Sequence, residues 1–109
     1  MEISAAQVVE NYELLSVLTG QMHDAAVRGE WDLLIGIETQ RSQLLEQMKP
    51  VDAVVKLDDT MQRRKLQFIE KILAGDSAIR NLTQTQMRQL ELNMESESNE
   101  RRVRQAYGV

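Results

Sequence analysis

No cysteine occurs in the 109 residues, which excludes disulfide scaffolds, thiolate metal sites and cysteine nucleophiles and fits a reducing cytoplasm. Proline occurs once and glycine 5 times. A sandwich or barrel of many short strands needs turn residues at each reversal, so that scarcity sets an all-β fold aside. Only 4% of the chain is aromatic although 42% is hydrophobic, so the apolar material is mostly Leu, Ile, Val, Ala and Met, the stuff of helix seams. No run approaches the roughly 18–20 apolar residues that span a bilayer. The opening MEISAAQVVENYE also lacks the basic flank and apolar core of a signal peptide. Together these absences predict a soluble, cytoplasmic helical protein with no membrane insertion. A net charge of -4 is too small, for this apolar content, to keep the chain unfolded.

Ser4 followed by Gln7 is a capping-box pattern that starts a first helix. Val8, Tyr12, Leu15, Leu18, Met22 and Ala25 then recur at three- and four-residue steps along one stripe. Gly29 after Arg28 ends the helix with a residue that tolerates positive φ, giving a span of 4 to 28. Trp31, Leu34, Ile35, Ile37, Leu44, Leu45 and Met48 mark a second helix, with Glu30 and Asp32 at its positive end, that Pro50 is expected to stop. A two-residue connection makes the pair an antiparallel hairpin.

Asp58 or Asp59 caps a third helix. Its stripe runs through Phe68, Ile72, Gly75, Ile79, Leu82, Gln86 and Leu90 to Asn93 or Met94. The stripe crosses Gly75 without a phase slip, which predicts one long helix over 58–96 in which the glycine costs about 1 kcal/mol. At 1.5 Å per residue that helix is about 58 Å long against roughly 37 Å for the first, so it overhangs the hairpin. The surplus stripe needs another copy, a partner or the chain's own tail to cover it. The polar run Glu95–Glu100 is expected to hinge a short final segment. The fold class is therefore all-α: an antiparallel bundle with a helical hairpin, a long third helix and a short C-terminal helix, all in a single domain over 1–109.

Catalytic and metal chemistry find no footing. His23 has no second histidine at ligand spacing, glycines are scattered singly and form no phosphate loop, and Glu91 and Glu95 make an ordinary exposed helix pattern. Residues 1–48 carry 8 acids against Arg28 and Arg41, while 49–109 carry 11 bases against 9 acids; opposite charge gives the two halves a means of attraction, but these charges read first as solvated helix faces that lend solubility. Two basic clusters, Arg63, Arg64 and Lys65, and Arg101, Arg102 and Arg104, lack interleaved aromatics and any nucleic-acid module. They read as solvated helix faces, and direct nucleic-acid binding is not expected. Met22, Met48, Met61, Met87 and Met94 lie on or beside the stripes, where thioethers fill cores or line adaptable grooves.

Two motifs, RGEWDLL from Arg28 to Leu34 and RQAYG from Arg104 to Gly108, together resemble the FliT family of flagellar type III export chaperones. Gly29, Trp31 and Asp32 carry the first signature. The resemblance implies a non-enzymatic cytoplasmic protein without cofactor or metal that binds the filament-cap protein before export and prevents its premature assembly. It also implies docking to the export ATPase complex and, in some members, binding to the flagellar master transcription regulator. Carried over by position, it assigns Ile69, Ile72 and Arg80 to a client groove on helices 2 and 3, and Arg104, Tyr107 and Gly108 to a C-terminal regulatory segment, 97–109, that folds back as a lid. The alternative is a self-associating coiled-coil module, a homodimer whose seam is the third-helix stripe.

Overall fold

Ser4 and Gly29 bracket the first helix in the computed structural model, which describes residues 4–107. Helix α1 (Ala5–Arg28) begins where Ser4 Oγ accepts the Gln7 backbone N–H at 3.2 Å. It ends in a Schellman motif: Gly29 sits at φ 72° and donates to the Ala26 carbonyl at 3.1 Å, while Glu30 donates to Ala25 at 2.9 Å. A side chain at this left-handed position costs roughly 1 kcal/mol, which is the physical content of the glycine in the RGEWDLL motif.

Helix α2 (Trp31–Asp52) follows at once, with Asp32 in its first turn. The expectation that Pro50 stops this helix is corrected, because the proline lies inside the last turn. Only one backbone donor is lost so close to the end, and the helix closes when Val54 and Val55 both donate to the Val51 carbonyl at 3.1 Å. Of the two candidate caps for the third helix, Asp58 is the one used: its Oδ1 accepts the Met61 N–H at 2.8 Å.

Helix α3 (Asp59–Tyr107) passes through Gly75 unbroken, as its phase predicts, and then through Glu95–Glu100 as well. The C-terminal segment is thus helical, but it is the end of α3, and the expected hinge is corrected. Three of those six residues are glutamate and none is Gly or Pro, so nothing in the run breaks a helix. The exposed pair Glu100 and Arg104, 2.9 Å apart at i,i+4, adds a few tenths of a kcal/mol there. Among the described residues there is no strand.

The chain divides into two compact units, Met1–Ile79 and Arg80–Val109. The first holds the core: Val8, Val9, Leu15, Met22, Ala25 and Ala26 of α1 with Ile37 and Met48 of α2 are buried, each large side chain contributing about 1.5–3 kcal/mol. This is the α1 stripe read from the sequence, widened by Val9, Ala26 and Thr19. Cross-helix pairs set the directions. Tyr12 meets Asp52 and Thr19 meets Arg41, so α1 and α2 are antiparallel. Tyr12 meets Lys65 and Thr19 faces Gly75, so α3 runs alongside α1 in the same sense through this unit. In the second unit, Met87, Leu90, Leu92 and Met94 are exposed.

Candidate functional site

In the first unit, α3 presents its apolar residues in two rows. Phe68, Ile72 and Ile79 follow the phase of Gly75 and are half-buried. Leu66, Ile69 and Leu73, at steps of three and four, form a second row, of which Leu66 is 49% and Leu73 63% exposed. On α2, Ile35 and Leu45 are exposed as well. Open rows of aliphatic side chains at helical spacing are suited to taking another helix and offer no group for bond-making chemistry.

Two polar clusters hold α3 against the hairpin beneath this surface. In the first, the Arg41 guanidinium of α2 donates from Nη1 to Thr19 Oγ1 of α1 at 3.1 Å and to Asp76 Oδ1 of α3 at 2.5 Å. Thr19, only 1% exposed, in turn donates to the Leu15 carbonyl at 2.8 Å. One arginine therefore ties all three helices together. Beside it, α1 and α3 approach so closely that a Cβ on Gly75 would lie 2.6 Å from Thr19 Cγ2.

In the second cluster, the Tyr12 hydroxyl donates to Asp52 Oδ2 at the end of α2, and Lys65 Nζ of α3 sits 5.0 Å from the centre of the Tyr12 ring. Lys65 is thus a packing residue, unlike its exposed neighbours Arg63 and Arg64. Burial, then the hydrogen bond to Asp52 and its negative charge, push the phenol well above its ordinary 10.0. The folded state keeps this proton after the unfolded chain has lost it. The associated stability is complete below about pH 10 and drains away as pH rises from there toward the folded-state value. Tyr12→Phe is expected to cost about 1 kcal/mol at neutral pH and to flatten that alkaline decline, as read from urea titrations on either side of pH 10. A decline of unchanged steepness in the variant would assign it to other groups.

The residues singled out by resemblance fall as follows. Ile69 and Ile72 are half-buried on α3, Ile69 in the open row and Ile72 in the packed one. Arg80 is exposed at the start of the second unit. Arg104 is exposed and paired with Glu100. Tyr107 is the last residue of α3, its side chain outside the described residues, and Gly108 lies outside them altogether. Gly29 is the α1 cap, Trp31 is half-buried at the start of α2, and Asp32 is exposed in its first turn. Leu66 and Leu73 were not singled out from the sequence, although their spacing from Ile69 was there to be read. Among the described residues no group of three or more His, Cys, Asp or Glu side chains is placed to hold a metal ion. No described helix is long and apolar enough to cross a membrane.

Comparison with known proteins agrees with this architecture. Residues 9–109 match the family model described as flagellar protein FliT. A flagellar protein FliT from Cronobacter sakazakii (strain ATCC BAA-894) is 26% identical over 102 residues, 92% of this chain and 82% of that protein. The crystal structure of flagellar protein FliT from Bordetella bronchiseptica superposes with a TM-score of 0.69 at 28% identity, covering 77% of this chain and 95% of that one. With the family model spanning nearly the whole sequence and a solved member sharing its fold, the chain belongs to the FliT family of flagellar proteins.

Proposed function

We propose that this protein is an export chaperone of the flagellar type III system. It holds the filament-cap protein in the cytoplasm, prevents its premature assembly and delivers it to the export ATPase complex, and it engages the flagellar master transcription regulator as a further partner. It acts by binding and not by catalysis. The observation that carries this reading, beyond family membership, is the open row Leu66, Ile69 and Leu73 on α3. A client helix lays its own apolar face on such a row with anchors at three- and four-residue spacing. Arg80, exposed on the same helix, supplies a contact for client carboxylates. The whole chain, 1–109, serves as the chaperone domain, with 97–109 as its regulatory segment. Because α3 is helical through Glu95–Glu100, that segment can act as a lid only if the helix opens there.

Calorimetry with the C-terminal segment of the filament-cap protein tests the reading. Ile69→Asp is expected to weaken binding by about tenfold or more while circular dichroism stays unchanged. Removing residues 97–109 is expected to tighten binding by the reciprocal of the fraction of time the groove stands open in the intact chain. No measurable binding by the intact or the truncated chain would remove the chaperone reading. Unchanged or weaker affinity after truncation would remove the lid alone.

A second reading, self-association, is favoured by one observation: Met87, Leu90 and Met94 form an exposed stripe at i, i+3 and i+7 in the second unit. Sedimentation with and without the client segment separates the two. Displacement of a dimer by the client means a shared surface, and a dimer that persists alongside bound client means separate ones.

A further inference from the structure

The hairpin has a second face that neither α3 nor the proposed client surface uses. Between α1 and α2 a groove is lined by Gln21, Asp24, Ala25 and Arg28 from the first helix and Leu33, Ile37 and Gln40 from the second. At about 100° per residue, Gln21 lies roughly 160° and Arg28 roughly 180° around α1 from Thr19, the residue that faces α3. The groove therefore opens on the side of the hairpin away from α3. Its apolar content is exposed: Leu33 is 51% accessible, and Leu14 and Val17, two turns and one turn before Gln21 on the same stripe of α1, are 46% and 49%.

Charge identifies what fits. Glu10 and Asp24 stand on that α1 stripe, Glu13 lies beside it and Asp32 at the α2 rim, all four exposed. The cation on this face is Arg28, at the turn end of the groove, because Arg41 is directed to Asp76 and Thr19. An acidic rim around an aliphatic groove between two antiparallel helices has the chemistry to take one more helix, apolar on one face and basic along its flanks.

We propose that the α1–α2 groove is a second protein-binding site, separate from the α3 surface, whose occupant is a basic amphipathic helix of a partner protein. The helix lies along the hairpin with aliphatic side chains against Val17, Leu33 and Ile37. Its lysines or arginines meet Glu10, Glu13, Asp24 and Asp32.

The test uses the full isotope-labelled chain and two four-turn synthetic peptides with leucines at identical three- and four-residue spacing, one flanked by lysines and the other by glutamates. The lysine peptide is expected to bind saturably and to move the amide resonances of residues 14–40. Its affinity should fall with added salt, and by about tenfold or more in Leu33→Lys and in Asp24→Lys. Leu33 and Asp24 are exposed, so both variants should keep the wild-type circular dichroism. The Leu66→Glu variant, altered on the α3 surface, is expected to bind the lysine peptide as the native chain does. Equal binding of the glutamate peptide, resonance changes confined to α3, or no saturation by the lysine peptide would each overturn the proposal.

Discussion

Alanine at position 75 is expected to lower the stability of the Met1–Ile79 unit by about 1–3 kcal/mol, a drop of several degrees in Tm. The sign is the informative part. In an exposed helix interior the same change raises stability by about 1 kcal/mol, because glycine has more backbone freedom to lose on folding. Here the added Cβ would stand 2.6 Å from Thr19 Cγ2, on a side chain fixed by burial and by its hydrogen bonds to Leu15 and Arg41. The contact can be relieved without touching those bonds. Thr19→Ser removes Cγ2, keeps the hydroxyl and leaves the Thr19 Cβ position as the neighbour, at 3.8 Å. The Gly75→Ala, Thr19→Ser double variant should therefore melt above Gly75→Ala alone. A stabilised Gly75→Ala single variant would mean that α1 and α3 do not approach this closely in solution.

Gly75 has one property that local sequence encodes and one that it does not. The phase of Phe68, Ile72 and Ile79 was enough to carry one helix across it, because a continuous 3.6-residue period is a local property of the chain. What the glycine does there depends on which residue of another helix lies opposite, and no local pattern records that. Pro50 and Glu95–Glu100 fall on the same side of the line. Their expected breaks were inferred from residue preferences worth at most a few kcal/mol, and position within the last turn or an ordinary helix-forming composition outweighed them. The caps were legible, since Ser4, Gly29 and Asp58 act within three or four residues of themselves.

The site divides in the same way. Ile69, Ile72 and Arg80 are implied by resemblance, whereas the open row to which Ile69 belongs is set by which face of α3 the hairpin covers. That covered face is chosen by Arg41 and Lys65, two residues that composition alone places on a solvated surface. Arg41 carried a signal: it stands four residues after Ile37 and seven before Met48, on the buried stripe of α2. A cation at such a position is retained only with a partner, and Asp76 lies on α3 one residue beyond the glycine that lets the helices close.

Arg41→Ala is accordingly expected to destabilise the fold by about 2 kcal/mol, less than the 3–5 kcal/mol seen when fully buried pairs are broken. The discount follows from exposure, 17% for the arginine side chain and 30% for the aspartate, which lets water screen part of the loss. Asp76→Ala should cost somewhat less, since Arg41 retains Thr19. If the two groups act as a pair, the double variant costs less than the sum of the single ones, with a coupling of about 1–2 kcal/mol in urea titrations. Singles that add to within about 0.5 kcal/mol would show that the ion pair contributes nothing beyond its separate parts. Replacing both by apolar residues, Arg41→Met with Asp76→Leu, is expected to restore most of the lost stability, because neither charge then remains to be desolvated. Stability and register should separate in that last variant. Arg41, Thr19 and Asp76 fix α3 on the hairpin by directional bonds, and an apolar replacement holds without specifying which turn meets which. Client binding on Leu66, Ile69 and Leu73 should then stay below that of the native chain although the melt has recovered. Full recovery of both would reduce the triad to a packing contact.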